Sequence, residues 1–113
     1  DLPFLILEDD AQAIQDFDPV FEVPDDAGAV YLGVSLSNPN TQVIDVGHSD
    51  VYRIKNVLAT HAILYLGEHF AKTVADTTKD LIWNRQIPLD MGTAHLQNNW
   101  NVYALQMPLF LKL

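Results

Sequence analysis

Apolar and polar residues alternate most regularly around residues 30–37. Val30, Leu32, Val34 and Leu36 fall on one side, and Tyr31, Gly33, Ser35 and Ser37 on the other. That is the period of two expected of a strand with one buried face. Ser37-Asn38-Pro39-Asn40 reads as the turn that ends it. Val43-Ile44-Asp45-Val46 predicts a short strand, and Gly47-His48-Ser49-Asp50 a hairpin connection into the next one. Residues 51–66 are rich in β-branched and aromatic side chains (Val51, Tyr52, Ile54, Val57, Ile63, Tyr65). They predict one long strand, or two with a kink near Ala59. A helix through Val57, Leu58, His61, Leu64 and Tyr65 competes with this reading, and the β-branched content favours strand.

The period changes after Gly67. Phe70, Ala71, Val74, Ala75, Thr78, Leu81 and Ile82 recur at spacings of three and four, while Lys72, Thr73, Asp76, Lys79 and Asp80 take the opposite face. The spacing predicts one amphipathic helix over about residues 68–85. Glu68 suits its positive end and can pair with Lys72, and Pro88 stops it. A polar loop over residues 86–99 leads to a final apolar run over about residues 100–113. There Tyr103, Leu105, Met107, Leu109, Leu111 and Leu113 share one face; Val102, Ala104, Gln106, Phe110 and Lys112 share the other, with an edge or bulge at Pro108.

At the other end, Leu2-Pro3-Phe4-Leu5-Ile6-Leu7 is apolar but holds a proline, which predicts an edge strand or a docking arm. Glu8-Asp9-Asp10 suits the start of a short helix carrying Ala11, Ile14 and Phe17. Residues 17–24 read as extended chain between prolines, and Asp25-Asp26-Ala27-Gly28 as a turn. The order is strands, one helix, then a strand. One helix cannot cover both faces of a sheet, so the expected fold is α+β, an antiparallel or mixed sheet packed by that helix. Residues 1–113 make one domain, with 1–24 as an extended arm. The last strand is apolar on both faces, and a neighbouring subunit is the expected cover for the second.

Composition narrows the function classes. The chain has 113 residues, 49% of them hydrophobic, and no cysteine, so it has no disulfide framework, thiolate metal site or cysteine nucleophile. Its apolar stretches are far shorter than the roughly 20 residues that span a bilayer, and no basic stretch precedes the first of them, so neither membrane insertion nor a secretory leader is expected. The net charge is −9, and residues 1–50 hold eleven acids and no Lys or Arg. Such a field repels nucleic acid and anionic lipid, which bind through cations. Asp1 is not a translated start, so the chain is expected to be processed, trimmed, or part of a longer one.

Motifs for chemistry are sparse. His48-Ser49-Asp50 holds the residue types of a hydrolytic triad, but triad members meet in space rather than as chain neighbours, and a hairpin turn is the favoured reading. His48, His61, His69 and His95 lack zinc-ligand spacing. Asp9-Asp10 and Asp25-Asp26 lack the alternating acids of a calcium loop, and neighbouring acids on a turn have no evident route to the raised pKa of a general acid. The five glycines are scattered singly, so no phosphate loop exists. No cofactor is expected. Trp83 and Trp100 flank the 86–99 loop and define an alternative, a small α+β ligand- or peptide-binding module with its pocket between helix and loop.

Over residues 50–113 the strand YRIKNVLATHAILYLG, the helix EHFAKTVADTTKDLIWNRQI and the closing strand WNVYALQMPLFLKL follow one another. In length and order this resembles the small tail-terminator and tail-completion proteins of tailed bacteriophages, a likeness of architecture covering a little over half the chain. Those proteins often begin with a well-formed helix, whereas residues 1–24 here read as extended. The resemblance implies a non-enzymatic virion protein, assembled in the host cytoplasm into a homo-oligomeric ring, commonly a hexamer, at the tail terminus or neck. Its partners would be copies of itself and neighbouring tail-tube or head-connector proteins. Leu5, Ile6, Leu7, Leu109, Phe110 and Leu111 would then form the assembly interface through strand edges. Asp9, Asp10, Asp25 and Asp26 would form an acidic surface to which DNA does not stick.

Overall fold

A computed structural model describes residues 2–14, 21–34, 39–58, 61–80, 83, 94 and 96–112. The fold is α+β. Its body is a six-stranded mixed sheet of β1 (Phe4–Leu7), β3 (Ala29–Tyr31), β4 (Gln42–Ile44), β5 (Val51–Lys55), β6 (Ala62–Tyr65) and β7 (Val102–Leu105), in the order β1-β6-β3-β7-β5-β4. Neighbours are antiparallel except β3 and β7, which run parallel. Helix α1 (Glu68–Asp80) lies on one face. A two-stranded antiparallel ribbon of β2 (Ala11–Ala13) and β8 (Phe110–Lys112) lies on the other.

The helix starts where Gly67 breaks β6: the Ala71 amide donates to the Gly67 carbonyl, while the amides of Leu66 and Gly67 donate to Gly28. Phe70 and Val74 are its buried residues, the inward end of the stripe predicted from the spacing. They pack with Ala29, Tyr31, Ile54, Ile63, Tyr65, Val102 and Ala104. Burying Phe70 alone stabilises the fold by roughly 2–3 kcal/mol. Leu81, Ile82 and Arg85 lie outside the described residues.

Cover for the second face comes from the chain itself. Val30, Leu32, Val51, Ala62, Tyr103 and Leu105 pack against Leu109 and Phe110 of the ribbon, joined by the half-buried Phe21 and Val23. The amides of Leu109 and Phe110 both donate to the Leu32 carbonyl, and Ile14 donates to Leu109. Strand β3 is therefore buried on both faces, not on one as its alternation predicts.

The apolar run at 100–113 divides into β7, central in the sheet, and β8, in the ribbon, with Pro108 between them. The two-faced strand needs no neighbouring subunit. Residues 51–66 form two strands, and β3 and β7 stand between them in the sheet. Ala11–Ala13 is a strand rather than the start of a helix, because pairing with β8 supplies its hydrogen bonds. Residues 4–7 thus pair in the six-stranded sheet and 11–13 in the ribbon, while Phe17 lies outside the described residues. Among the described residues, no helix is long and apolar enough to cross a membrane.

Candidate functional site

The two ends of the six-stranded sheet stand out. Strand β1 pairs with β6 from Phe4↔Tyr65 to Leu7↔Ala62, and among the described residues nothing pairs with its outer edge. Phe4, Leu5, Ile6 and Leu7 keep 37–49% of their surface exposed. Natural edge strands are usually blunted by charge or twist, because an unpaired edge is a template for another strand. Here the four residues are apolar and uncharged. The opposite edge, β4, repeats the pattern: Val43, Ile44 and Val46 are 38–47% exposed.

Beside β1 the sheet and helix leave a groove of about 430 Å³. Phe4, Ile6, Ile63 and Tyr65 form one wall and Val74 and Ala75 the other, with Glu8, Thr78 and Lys79 also on its lining. An aromatic series runs from it into the core: Phe4 stacks on Tyr65 at 5.0 Å, Tyr65 on Phe70 at 6.1 Å, and Phe70 leans on Trp100 at 5.7 Å. Burial holds the Tyr65 hydroxyl above the usual tyrosine range.

The expected interface residues divide between surface and core. Leu5, Ile6 and Leu7 are at the surface, on the β1 edge. Leu109 and Phe110 are core, which corrects their assignment to an interface: the ribbon turns them onto the sheet, where burial is worth more than exposure. Leu111 lies in β8, paired with Gln12. Of the acidic residues, Asp9, Asp25 and Asp26 are exposed and Asp10 half-buried, with its Oδ1 enclosed and unpartnered.

Asp25 and Asp26 border a hollow of about 440 Å³ with Pro24, Val46, His48 and Tyr103. The Tyr103 hydroxyl donates to Asp26 Oδ1 at 2.9 Å, and the Arg53 guanidinium sits 5.9 Å from the Tyr103 ring centre. Burial, then the hydrogen bond to Asp26 and its charge, raise the Tyr103 pKa; Arg53 opposes them. A raised tyrosine pKa contributes stability that is intact below the unfolded value, about 10, and lost as pH rises through the folded value. Stability should therefore fall in alkaline solution, and Tyr103→Phe should flatten that fall in urea titrations between pH 8 and 11. An unchanged slope would remove Tyr103 from this role.

The predicted hairpin forms between β4 and β5, with Gly47 at φ +76°. Its histidine and carboxylate serve the turn: the Asp50 amide donates to His48 Nδ1, and the Glu22 amide to Asp50 Oδ2. No hydrogen bond among the described residues joins His48, Ser49 and Asp50 as a relay. Among the described residues, no group of three or more His, Asp or Glu side chains is placed to hold a metal ion.

Trp83 is 80% exposed, while Trp100 packs on Phe70. Most of the 86–99 loop lies outside those residues.

Sequence reasoning missed the β4 edge and the groove. Val43, Ile44 and Val46 break the strict alternation of a half-buried strand, and that was the available signal. Nothing in the sequence marked Val74 as lining a groove as well as the core, or Ala75 as groove wall. In comparisons with known proteins, no family model, no curated protein and no solved structure matches this chain.

Proposed function

We propose that this chain is a non-enzymatic structural subunit that assembles with copies of itself. The setting proposed is the ring at the tail terminus or neck of a tailed phage, on the resemblance of residues 50–113 to tail-terminator and tail-completion proteins. The observation that carries the reading is the pair of exposed apolar edges, β1 and β4, at opposite ends of one sheet. Different edges at the two ends make head-to-tail contacts, and such contacts close into a ring when the rotation between subunits closes. Asp9, Asp25 and Asp26, on exposed turns of a chain with net charge −9, would keep the assembled surface from adhering to DNA.

The test is absolute mass by light scattering over a range of concentrations. The expected mass is a multiple of the 12.7 kDa chain. Replacing both Leu5 and Leu7 with Lys should return it to one chain, with an unchanged circular-dichroism spectrum. Both positions are exposed, so the folding cost stays within about 1 kcal/mol, and lysine is a natural protector of an open edge. A wild-type chain that stays monomeric at every concentration, also with tail-tube protein added, would overturn the reading.

A further inference from the structure

We propose that a second copy of this chain seats its β4 edge on β1 in parallel, with Val43 level with Phe4, so that the sheet runs on from subunit to subunit. The inference rests on the self-assembly reading above and specifies its interface.

Strand direction comes first. From β1 the sense reverses at β6 and again at β3, is kept at β7, and reverses at β5 and at β4. The two edges, open among the described residues, therefore run in the same direction. A neighbour related by rotation about an axis along the strands keeps both strand direction and sheet faces, so its β4 meets β1 in parallel. A two-fold β1–β1 pair would be antiparallel.

Face parity limits the register. Phe4 and Ile6 lie opposite Tyr65 and Ile63, and Val43 lies opposite Ile54. Those three partners belong to the helix-side core, so Phe4, Ile6 and Val43 share the helix face. Asp45 lies just past the end of β4, and in a sheet continued from subunit to subunit the same alternation would put it on that face. Laterally adjacent strand residues point to the same face, so Val43 must come level with Phe4 or with Ile6.

Charge decides between these. With Val43 level with Ile6, Asp45 would fall beside Glu8, a like pair that opposes association. With Val43 level with Phe4, Asp45 falls beside Ile6, in the groove lined by Lys79. Ile44 and Val46 then fall beside Leu5 and Leu7 on the opposite face, covering apolar surface on both partners. Asp45 accepts the Gly47 amide through Oδ1 and has a second carboxylate oxygen to offer Lys79. Main-chain pairing supplies affinity, and the groove sets the register.

The chain has no cysteine, which makes single-cysteine variants clean reporters. Val46→Cys and Leu7→Cys proteins, mixed and treated with a short bismaleimide, should give a covalent dimer, while neither protein alone does. Gln42→Cys mixed with Leu7→Cys, out of register, should give none. Lys79→Glu should weaken association about tenfold, and Asp45→Lys in the same chain should restore it. If Leu7→Cys cross-links to itself, the contact is a two-fold β1–β1 pair; the inference then fails while self-assembly stands. Cross-linking only to added tail-tube protein would likewise overturn it. A wild-type chain that light scattering finds monomeric throughout would overturn both.

Discussion

Replacing Gln97 with leucine is expected to cost about 4 kcal/mol of folding stability and to lower Tm by on the order of 15 °C. Gln97 is fully buried, and its side chain makes three hydrogen bonds. Its Oε1 accepts the Val57 amide at 2.8 Å, and its Nε2 donates to the Val57 carbonyl at 3.0 Å and to the Tyr31 hydroxyl at 3.0 Å. It therefore substitutes for a strand partner just past the end of β5, where Asn56 turns to φ +59°. The Gln97 carbonyl also accepts from Arg53. Leucine fills the volume but strands a backbone amide and carbonyl away from water, and each such group costs about 1–3 kcal/mol. Against a total of about 5–15 kcal/mol for a domain, that loss is severe. Urea unfolding followed by circular dichroism measures it, and a loss below about 1 kcal/mol would mean that water reaches Val57.

Gly33→Ala is expected to cost about 3 kcal/mol, by overpacking rather than by backbone strain. A Cβ there would overlap the Phe110 carbonyl oxygen and His61 Nε2. Phe110 cannot yield easily, because its amide and that of Leu109 both anchor the ribbon to the Leu32 carbonyl. His61 is also enclosed, 1% exposed, with neither ring nitrogen hydrogen-bonded. The added methyl should lift β8 from the sheet, and amide exchange at Leu109 and Phe110 should accelerate before the rest of the core opens. Gly47→Ala is the control. A Cβ at Gly47 meets nothing within 4 Å but sits at φ +76°, so it should cost only about 1–2 kcal/mol of left-handed strain. Equal losses at the two sites would refute the crowding argument.

Elements with a strong local period were legible in the sequence. The helix stripe from Phe70 to Val74 and the hairpin around Gly47 declare themselves in neighbouring residues, because helix and turn geometry link positions only a few residues apart. The α+β class followed from the same counting, since one helix cannot cover two sheet faces. The apolar, uncharged run from Phe4 to Leu7 was likewise readable as an edge strand.

The partner of each apolar face was not readable. Leu109 and Phe110 carry the same signal as Leu5 and Ile6, yet the first two are buried and the second two exposed. The difference is strand order. β7 lies between β3 and β5, and β8 folds back over them, whereas β1 and β4 end the sheet. The buried Gln97 was hidden for the same reason: its partners are 40 and 66 residues away along the chain. Periodicity in the sequence therefore determined which residues seek cover. Long-range pairing, which depends on contacts between distant segments and not on neighbours, decided which of them find it within the chain and which stay exposed.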